Sequence, residues 1–262
     1  MTEIINNNII VGIFISLIFG MVSVFVILRK LSFLGVGISH SAFAGVALGL
    51  LLNTNLFVTT LIFALIVAFA IGKTTQMGKL EYDNGIGLFF SFTMAIGAIF
   101  IYLNKNYTFD IMGYLFGSIL GVTTSDVVLT VVFSVLFSIV ILLFFKEFVF
   151  IAFDEEVALI SGINTMFFDN ILLIVITTII VSAIKVIGII LVSALLILPG
   201  SFGLLICKNY KFAFIASIIY CLFIYFVGFA LSWAWDLPSG ATIVTVGSIT
   251  YFSLLLLLTE KK

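Results

Sequence analysis

The sequence predicts an all-α protein: a polytopic transmembrane helical bundle of about eight or nine spans with one short re-entrant helix. Of its 262 residues, 63% are hydrophobic and 9% are charged, whereas soluble domains average about 25% charged residues. Apolar runs close to the roughly 20 residues that a helix needs to cross a bilayer recur along the chain. The whole chain, residues 1–262, is expected to form a single membrane domain.

Nine apolar runs are candidate spans, although two are short and the stretch Ile171–Ile206 allows another division. The nine are Ile9–Leu28, Leu34–Leu52, Leu56–Ile71, Ile86–Leu103, Val127–Phe145, Ile171–Ile184, Val186–Ile206, Phe212–Trp233 and Ala241–Leu258. Ile111–Leu120 is too short to cross and is interpreted as a re-entrant or interfacial helix.

Charge placement orients the predicted bundle. If the nine spans alternate, nine of the eleven basic residues fall on one side, Lys105 falls on the other, and Lys185 lies near a hairpin tip. Because basic residues concentrate on the cytoplasmic side, we expect a multi-pass membrane protein with a cytoplasmic C-terminus. A net charge of −1 gives no basic surface for nucleic acid, so the expected surroundings are membrane lipids.

His40 is the only histidine, and it lies inside an apolar run. An ionisable group at membrane depth usually faces a bundle interior or a water-filled path, and the alternative is a neutral histidine bonded to a neighbouring helix. One imidazole cannot hold a cation, so carboxylates, carbonyls, hydroxyls such as Ser39, or a second subunit would complete a site. Small residues recur every four positions beside His40 and predict a close helix–helix seam. They are Gly37, Ser41, Gly45 and Gly49, and Val36 lies on the adjacent stripe.

The acidic centre of the chain is the loop between the fifth and sixth predicted spans. Asp154 can cap a short helix, with Glu155 and Glu156 in its first turn and Gly162 as its stop. An exposed helix with an apolar side suits docking into a groove on a soluble partner. The alternative is an amphipathic helix that lies on the membrane surface.

Sequence motifs for catalysis are absent. The chain has no Walker A motif, no HExxH and no GxSxG, so we expect no catalysis of its own and no enzyme function. Acidic residues fall at predicted span ends or in loops rather than at mid-membrane, where proton-coupled transporters carry them. These patterns indicate an energy source outside this chain.

Five segments, in order along nearly the whole chain, together resemble the ABC-3 permeases, the membrane subunits of bacterial zinc and manganese ABC importers. They are Arg29–Ala47, Tyr114–Thr123, Phe153–Ile163, Lys185–Gly200 and Asp236–Thr242.

The resemblance implies a permease subunit, in a bacterial or archaeal cell membrane, that forms the translocation path of an ATP-driven importer for Zn²⁺ or Mn²⁺. It implies a homodimer, a cytoplasmic ABC ATPase subunit that uses the ATP, an extracellular metal-binding protein, and no permanently bound cofactor. The acidic loop becomes the expected coupling element to the ATPase, through Asp154, Glu155, Glu156, Ala158 and Gly162. Two alternatives remain open: an ABC permease for another substrate such as a metal chelate, and an ATP-independent channel or scaffold.

The chain departs from the family pattern at Val36. Members of the family place an aspartate four residues before the histidine, which on a helix stacks a carboxylate and an imidazole on one face. His40 therefore carries over as a transient permeation-path ligand, whereas its expected partner does not. Residues expected to line the path or the seam are Val36, Gly37, Ser39, Ser41 and Gly45. The open explanations for the missing aspartate are that hydroxyls or groups from a second copy replace it, that the site is weaker, or that the substrate differs.

Overall fold

The computed structural model describes residues 2–78, 82–104 and 123–259, and these residues form helices without any strand. The helices are α1 (Thr2–Leu28), α2 (Leu34–Leu52), α3 (Leu56–Gln76), α4 (Tyr82–Leu103), α5 (Thr124–Leu143), α6 (Phe145–Phe153), α7 (Glu155–Ile160), α8 (Thr165–Leu195), α9 (Leu198–Ile206), α10 (Tyr210–Trp235) and α11 (Ser239–Thr259). The predicted re-entrant helix Ile111–Leu120 lies outside the described residues.

Eight helical segments within the described residues are long and apolar enough to cross a bilayer, which confirms the polytopic all-α prediction. Seven of them match single predicted spans to within a few residues, and α2 begins and ends where the sequence places it. The eighth segment, Thr165–Ile206, is 42 residues long. It combines the two predicted spans Ile171–Ile184 and Val186–Ile206.

Ion pairs mark the two ends of the bundle. At one end, Arg29 follows α1 and contacts Glu155 of α7 and Asp169 of α8; we call this the junction end. At the other end, Asp126 in the first turn of α5 pairs with Lys185 of α8; we call this the hairpin end. These ends are opposite, because α5 carries Asp126 in the first turn of its 20 residues and runs from there toward α6, which leads directly into α7.

The segment formed by α8 and α9 crosses the bundle twice. It starts at the junction end and reaches Lys185 at the hairpin end. The helix that follows it starts at Tyr210, whose ring lies 6.0 Å from that of Phe153, back at the junction end. The break is at Gly188, with φ 76° and ψ 163°, a conformation that is essentially restricted to glycine. The predicted division at Lys185 therefore falls three residues before the observed break.

The interior of the bundle is built around α1 and the α8–α9 segment. Both are 72% buried over their most apolar stretch, whereas α4 and α11 are only 17% and 11% buried. The outward faces of α4 and α11 carry large apolar side chains such as Leu88 and Leu256. Such faces suit lipid tails or another membrane-embedded chain.

Small residues and hydroxyls join α1 to α9 and α10. A Cβ atom at Gly200 would collide with the backbone of Ser23. The Ser217 hydroxyl donates to the Gly20 carbonyl at 2.8 Å and lies 3.0 Å from the Ser23 hydroxyl. In lipid, close backbone approach and interhelical hydrogen bonds drive helix association, so this seam fixes the position of α9 against α1.

Candidate functional site

His40 lies in the second turn of α2 on a half-buried stripe. Its ring meets that of Phe90 from α4 edge to face, with ring centres 4.9 Å apart. Val36 and Phe43, one turn before and one turn after His40, are also half-buried, whereas Ser39 and Ser41 on either side of it are buried. The stripe of Val36, His40 and Phe43 is therefore a half-buried face of α2, and we call it the half-open stripe.

The small-residue stripe of α2 packs against two helices rather than one. Toward the junction end it faces α4: a Cβ at Gly37 would collide with Ile86, and the Ser41 hydroxyl lies 3.0 Å from that of Thr93. Toward the hairpin end it faces α3, where a Cβ at Gly45 would come within 2.8 Å of the Thr60 Cα. These residues form tight seams on both sides of the helix that carries His40.

The hydroxyls next to His40 differ in their bonding. Ser41 donates to the Gly37 carbonyl at 2.8 Å in addition to its contact with Thr93, so its hydrogen-bonding capacity is largely used. Ser39 is fully buried, and its hydroxyl has no hydrogen-bond partner among the described residues. Within those residues, no group of three or more His, Cys, Asp or Glu side chains is placed to hold a metal ion. A single copy of the described chain thus offers a cation one imidazole at His40.

The acidic segment forms the short helix that its sequence predicts. The Asp154 side chain accepts a hydrogen bond from the Val157 backbone N–H at 3.0 Å, and Gly162 ends the turn with φ 87°. Glu155 and Glu156 occupy the first turn, where negative charge favours the helix N-terminus.

The apolar side chains of α7 divide between the bundle and the surface. Ala158 is fully buried, whereas Val157, Leu159 and Ile160 are exposed, Ile160 by 84%. An exposed apolar group beside carboxylates at the junction end is a surface that another molecule can cover.

Arg29 is the functional candidate that sequence reasoning missed. Its Nη2 atom donates to both carboxylate oxygens of Asp169 at 2.6 Å, and its Nη1 atom donates to Glu155 at 2.9 Å and to the Ile151 carbonyl at 3.1 Å. The Arg29 and Asp169 side chains are 11% and 10% exposed, whereas that of Glu155 is 54% exposed. From the sequence alone, Glu155 is named in the acidic loop, but Asp169 is given no role and Arg29 enters only as the start of a segment that resembles the family.

The hairpin end has an ion pair of its own. Lys185 Nζ donates to Asp126 at 2.6 Å, and the other oxygen of Asp126 accepts from the backbone N–H and the hydroxyl of Thr123 in a capping box. A cavity of about 550 Å³ lies beside this pair, with a mostly apolar lining that includes Leu56, Leu129 and Ile184. The pair ties the start of α5 to the second half of α8.

The eight long apolar helical segments among the described residues indicate a multi-pass membrane protein with a helical-bundle fold. The profile of the ABC 3 transport family matches residues 1–258, and the chain belongs to that family. This confirms the resemblance drawn from the five sequence segments.

Relatives of known name are membrane proteins of transport systems. The chain is 32% identical to the manganese transport system membrane protein MntC of Listeria monocytogenes over 243 residues, covering 93% of this chain and 86% of that protein. It is 32% identical over 244 residues to a probable metal transport system membrane protein of Thermotoga maritima, with the same coverage. Among solved structures, PsaBC from Streptococcus pneumoniae in complex with Fab matches with a TM-score of 0.83 and 28% identity, covering 95% of this chain and 90% of that chain.

Proposed function

We propose that this chain is the permease subunit of an ATP-driven importer of divalent metal ions, with Mn²⁺ as its principal substrate. Membership of the ABC 3 transport family over residues 1–258 carries the proposal. The names of the Listeria relative and of further relatives favour manganese over zinc. ATP is bound and hydrolysed by a separate cytoplasmic subunit, and an extracellular metal-binding protein delivers the ion.

The junction end is the cytoplasmic side under this proposal. Among the described residues, Arg29, Lys30, Lys73 and Lys208 lie at helix ends on this side, in keeping with the positive-inside rule. The exposed apolar side chains of α7 then form the docking surface for the ATPase subunit. A short helix that presents apolar anchors to a groove is a recurrent mode of recognition.

The permeation path runs along the half-open stripe of α2 at the interface of a homodimer. His40 is a transient ligand there, and a second copy supplies what one chain lacks. Two imidazoles related by a two-fold axis, with carbonyl or water oxygens, form a donor set that suits a divalent transition metal. A weak site of this kind suits a path, because an ion that binds must also leave.

Metal uptake by variants of α2 tests this role. In a complex reconstituted with its ATPase and binding protein, His40→Ala is expected to abolish ATP-dependent Mn²⁺ uptake while leaving membrane insertion and complex assembly intact. Phe43→Ala, which truncates another ring on the same stripe, is the matched control and should retain most uptake. Unchanged uptake of both manganese and zinc by His40→Ala would refute the ligand role.

The missing carboxylate is tested at Val36. Val36→Asp should place a carboxylate one turn from His40 and change metal preference or slow metal release, whereas Val36→Ala should do neither. If the wild-type chain does not co-purify with an ATPase subunit and transports metal without ATP, the whole proposal fails. Uptake of a metal chelate in place of the free ion would reassign the substrate.

A further inference from the structure

The short helix α7 has little packing of its own to hold it to the bundle. It is six residues long, and Ala158 is its only buried residue. A side-chain hydrogen bond from Arg29, which directly follows α1, to Glu155 at 2.9 Å attaches it to the membrane helices. The same guanidinium donates to the Ile151 carbonyl at 3.1 Å, just before α7 begins. Arg29 therefore holds both the entry to α7 and its first turn.

The contacts of Arg29 are unequal in strength. Asp169 accepts from a single guanidinium nitrogen, Nη2, which lies 2.6 Å from both of its carboxylate oxygens, and both side chains are nearly buried. Charge-assisted hydrogen bonds of this kind are among the strong ones. Glu155 receives a single bond and is 54% exposed, and exposed ion pairs contribute little, about 0–1 kcal/mol. The guanidinium is thus bound more strongly to Asp169 of α8, and its weaker bond to Glu155 of α7 is the one that can open and close.

Arg29 and Asp169 connect this contact to helices that run the length of the bundle. Arg29 directly follows α1, and Asp169 lies in the first turns of α8. Leu196, the residue directly after α8, packs against α2: a Cβ at Gly35 would come within 2.7 Å of the Leu196 Cδ1 atom. Gly35 lies five residues before His40 on α2. A continuous set of packed helices therefore joins α7 to the helix of the candidate path.

We propose that Arg29 is a positioning residue that links α7 to α1 and α8, so that displacement of α7 by the ATPase subunit is carried into the membrane helices. Asp169 fixes the guanidinium to α8, and Glu155 supplies the reversible contact with α7. This inference rests on the proposed function and adds to it which side chains transmit the movement. The test measures coupling directly, as the Mn²⁺ imported per ATP hydrolysed.

The chain offers a matched pair of substitutions for this test. Glu155→Gln and Glu156→Gln remove one charge each from adjacent positions in the first turn of α7, and Glu156 makes no ion pair with any described residue. Each variant is reconstituted in vesicles with its ATPase subunit and binding protein. Complex assembly, ATP hydrolysis and Mn²⁺ uptake are then measured on the same preparation.

We expect Glu155→Gln to assemble and hydrolyse ATP as the wild type does, while Mn²⁺ imported per ATP hydrolysed falls about fivefold or more, the scale of typical coupling between sites. Glu156→Gln should keep the wild-type ratio. Arg29→Lys should also lower the ratio, because a single ammonium can bind Asp169 but cannot also reach Glu155 and the Ile151 carbonyl as the planar guanidinium does.

Two results would overturn the inference while leaving the proposed function in place. The first is a Glu155→Gln ratio equal to those of Glu156→Gln and the wild type. The second is loss of ATPase binding by Glu155→Gln alone, which would make Glu155 a docking residue instead of a link. Failure of the wild-type chain itself to bind an ATPase subunit or to import Mn²⁺ would overturn both proposals, and it is recognised before any variant is compared.

Discussion

A graded series of glycine substitutions tests whether the helix that carries His40 is held by close backbone contact. At Gly45, an added Cβ would lie 2.8 Å from the Thr60 Cα and 3.2 Å from the Phe63 Cβ. At Gly49, one turn further along α2, the nearest atom is the flexible end of the Leu56 side chain at 3.1 Å. At Gly87 in α4, no described atom lies within 4 Å.

The geometry sets the size of the effect at Gly45. Ordinary contacts begin at 3.4 Å, so the methyl group of Gly45→Ala forces α2 and α3 apart by about 0.6 Å and weakens the contacts along their seam. Overpacking of this kind costs about 1–3 kcal/mol. All three alanines gain about 1 kcal/mol of helix propensity over glycine, and this gain cancels when the variants are compared with one another.

The free energies of unfolding should therefore rank Gly45→Ala below Gly49→Ala, and Gly49→Ala at or below Gly87→Ala. Thermal unfolding in a mild detergent, followed by circular dichroism, measures the order. At roughly 2–4 °C per kcal/mol, the midpoint of Gly45→Ala should lie about 2–12 °C below that of Gly87→Ala. Equal midpoints for these two variants would refute the close α2–α3 contact.

Two further substitutions test the junction end and the hairpin end by the same unfolding measurement. Asp169→Asn leaves the buried Arg29 guanidinium facing a neutral amide and should lower the free energy of unfolding by about 3–5 kcal/mol. Glu155→Gln, at the exposed contact, should lower it by less than about 1 kcal/mol. Equal losses of stability would contradict the assignment of Asp169 as the stronger partner of Arg29. Gly188→Ala places a side chain at φ 76° and ψ 163° and should lower the free energy of unfolding by about 1–3 kcal/mol. Gly87→Ala is its control. Equal stability of the two variants would show that the helix does not break at Gly188.

Local sequence patterns predicted most of the helices because each depends on neighbouring residues. The span Leu34–Leu52 was placed correctly from its apolar run between Lys30 and Asn53, a residue that ends α2 in the left-handed conformation. The α7 helix was placed from Asp154 as its cap and Gly162 as its stop, and both are confirmed. Composition, caps and glycine stops act over a few residues, so one sequence contains the information needed to read them.

The junction of Arg29 with α7 and α8 could not be predicted in the same way. Arg29 is 126 residues from Glu155 and 140 from Asp169, and no periodic pattern connects such distant positions. The stripe from Gly37 to Gly49 was expected to form one seam, but it packs against α4 and then against α3. Which helix lies against a given turn depends on how the whole bundle packs, and that is set by many contacts at once.

The ligands of the candidate path at His40 could not be predicted from one chain alone. His40 lies on the half-open stripe of α2, and the nearby Ser41 hydroxyl is already bonded to Gly37 and Thr93. Val36, one turn away, offers only an apolar side chain. A divalent cation that gives up its water needs several donors, and the described residues bring no group of three or more His, Cys, Asp or Glu side chains together. Under the proposed function, a second copy of the chain completes the shell, and the resulting site binds weakly enough for the ion to move on.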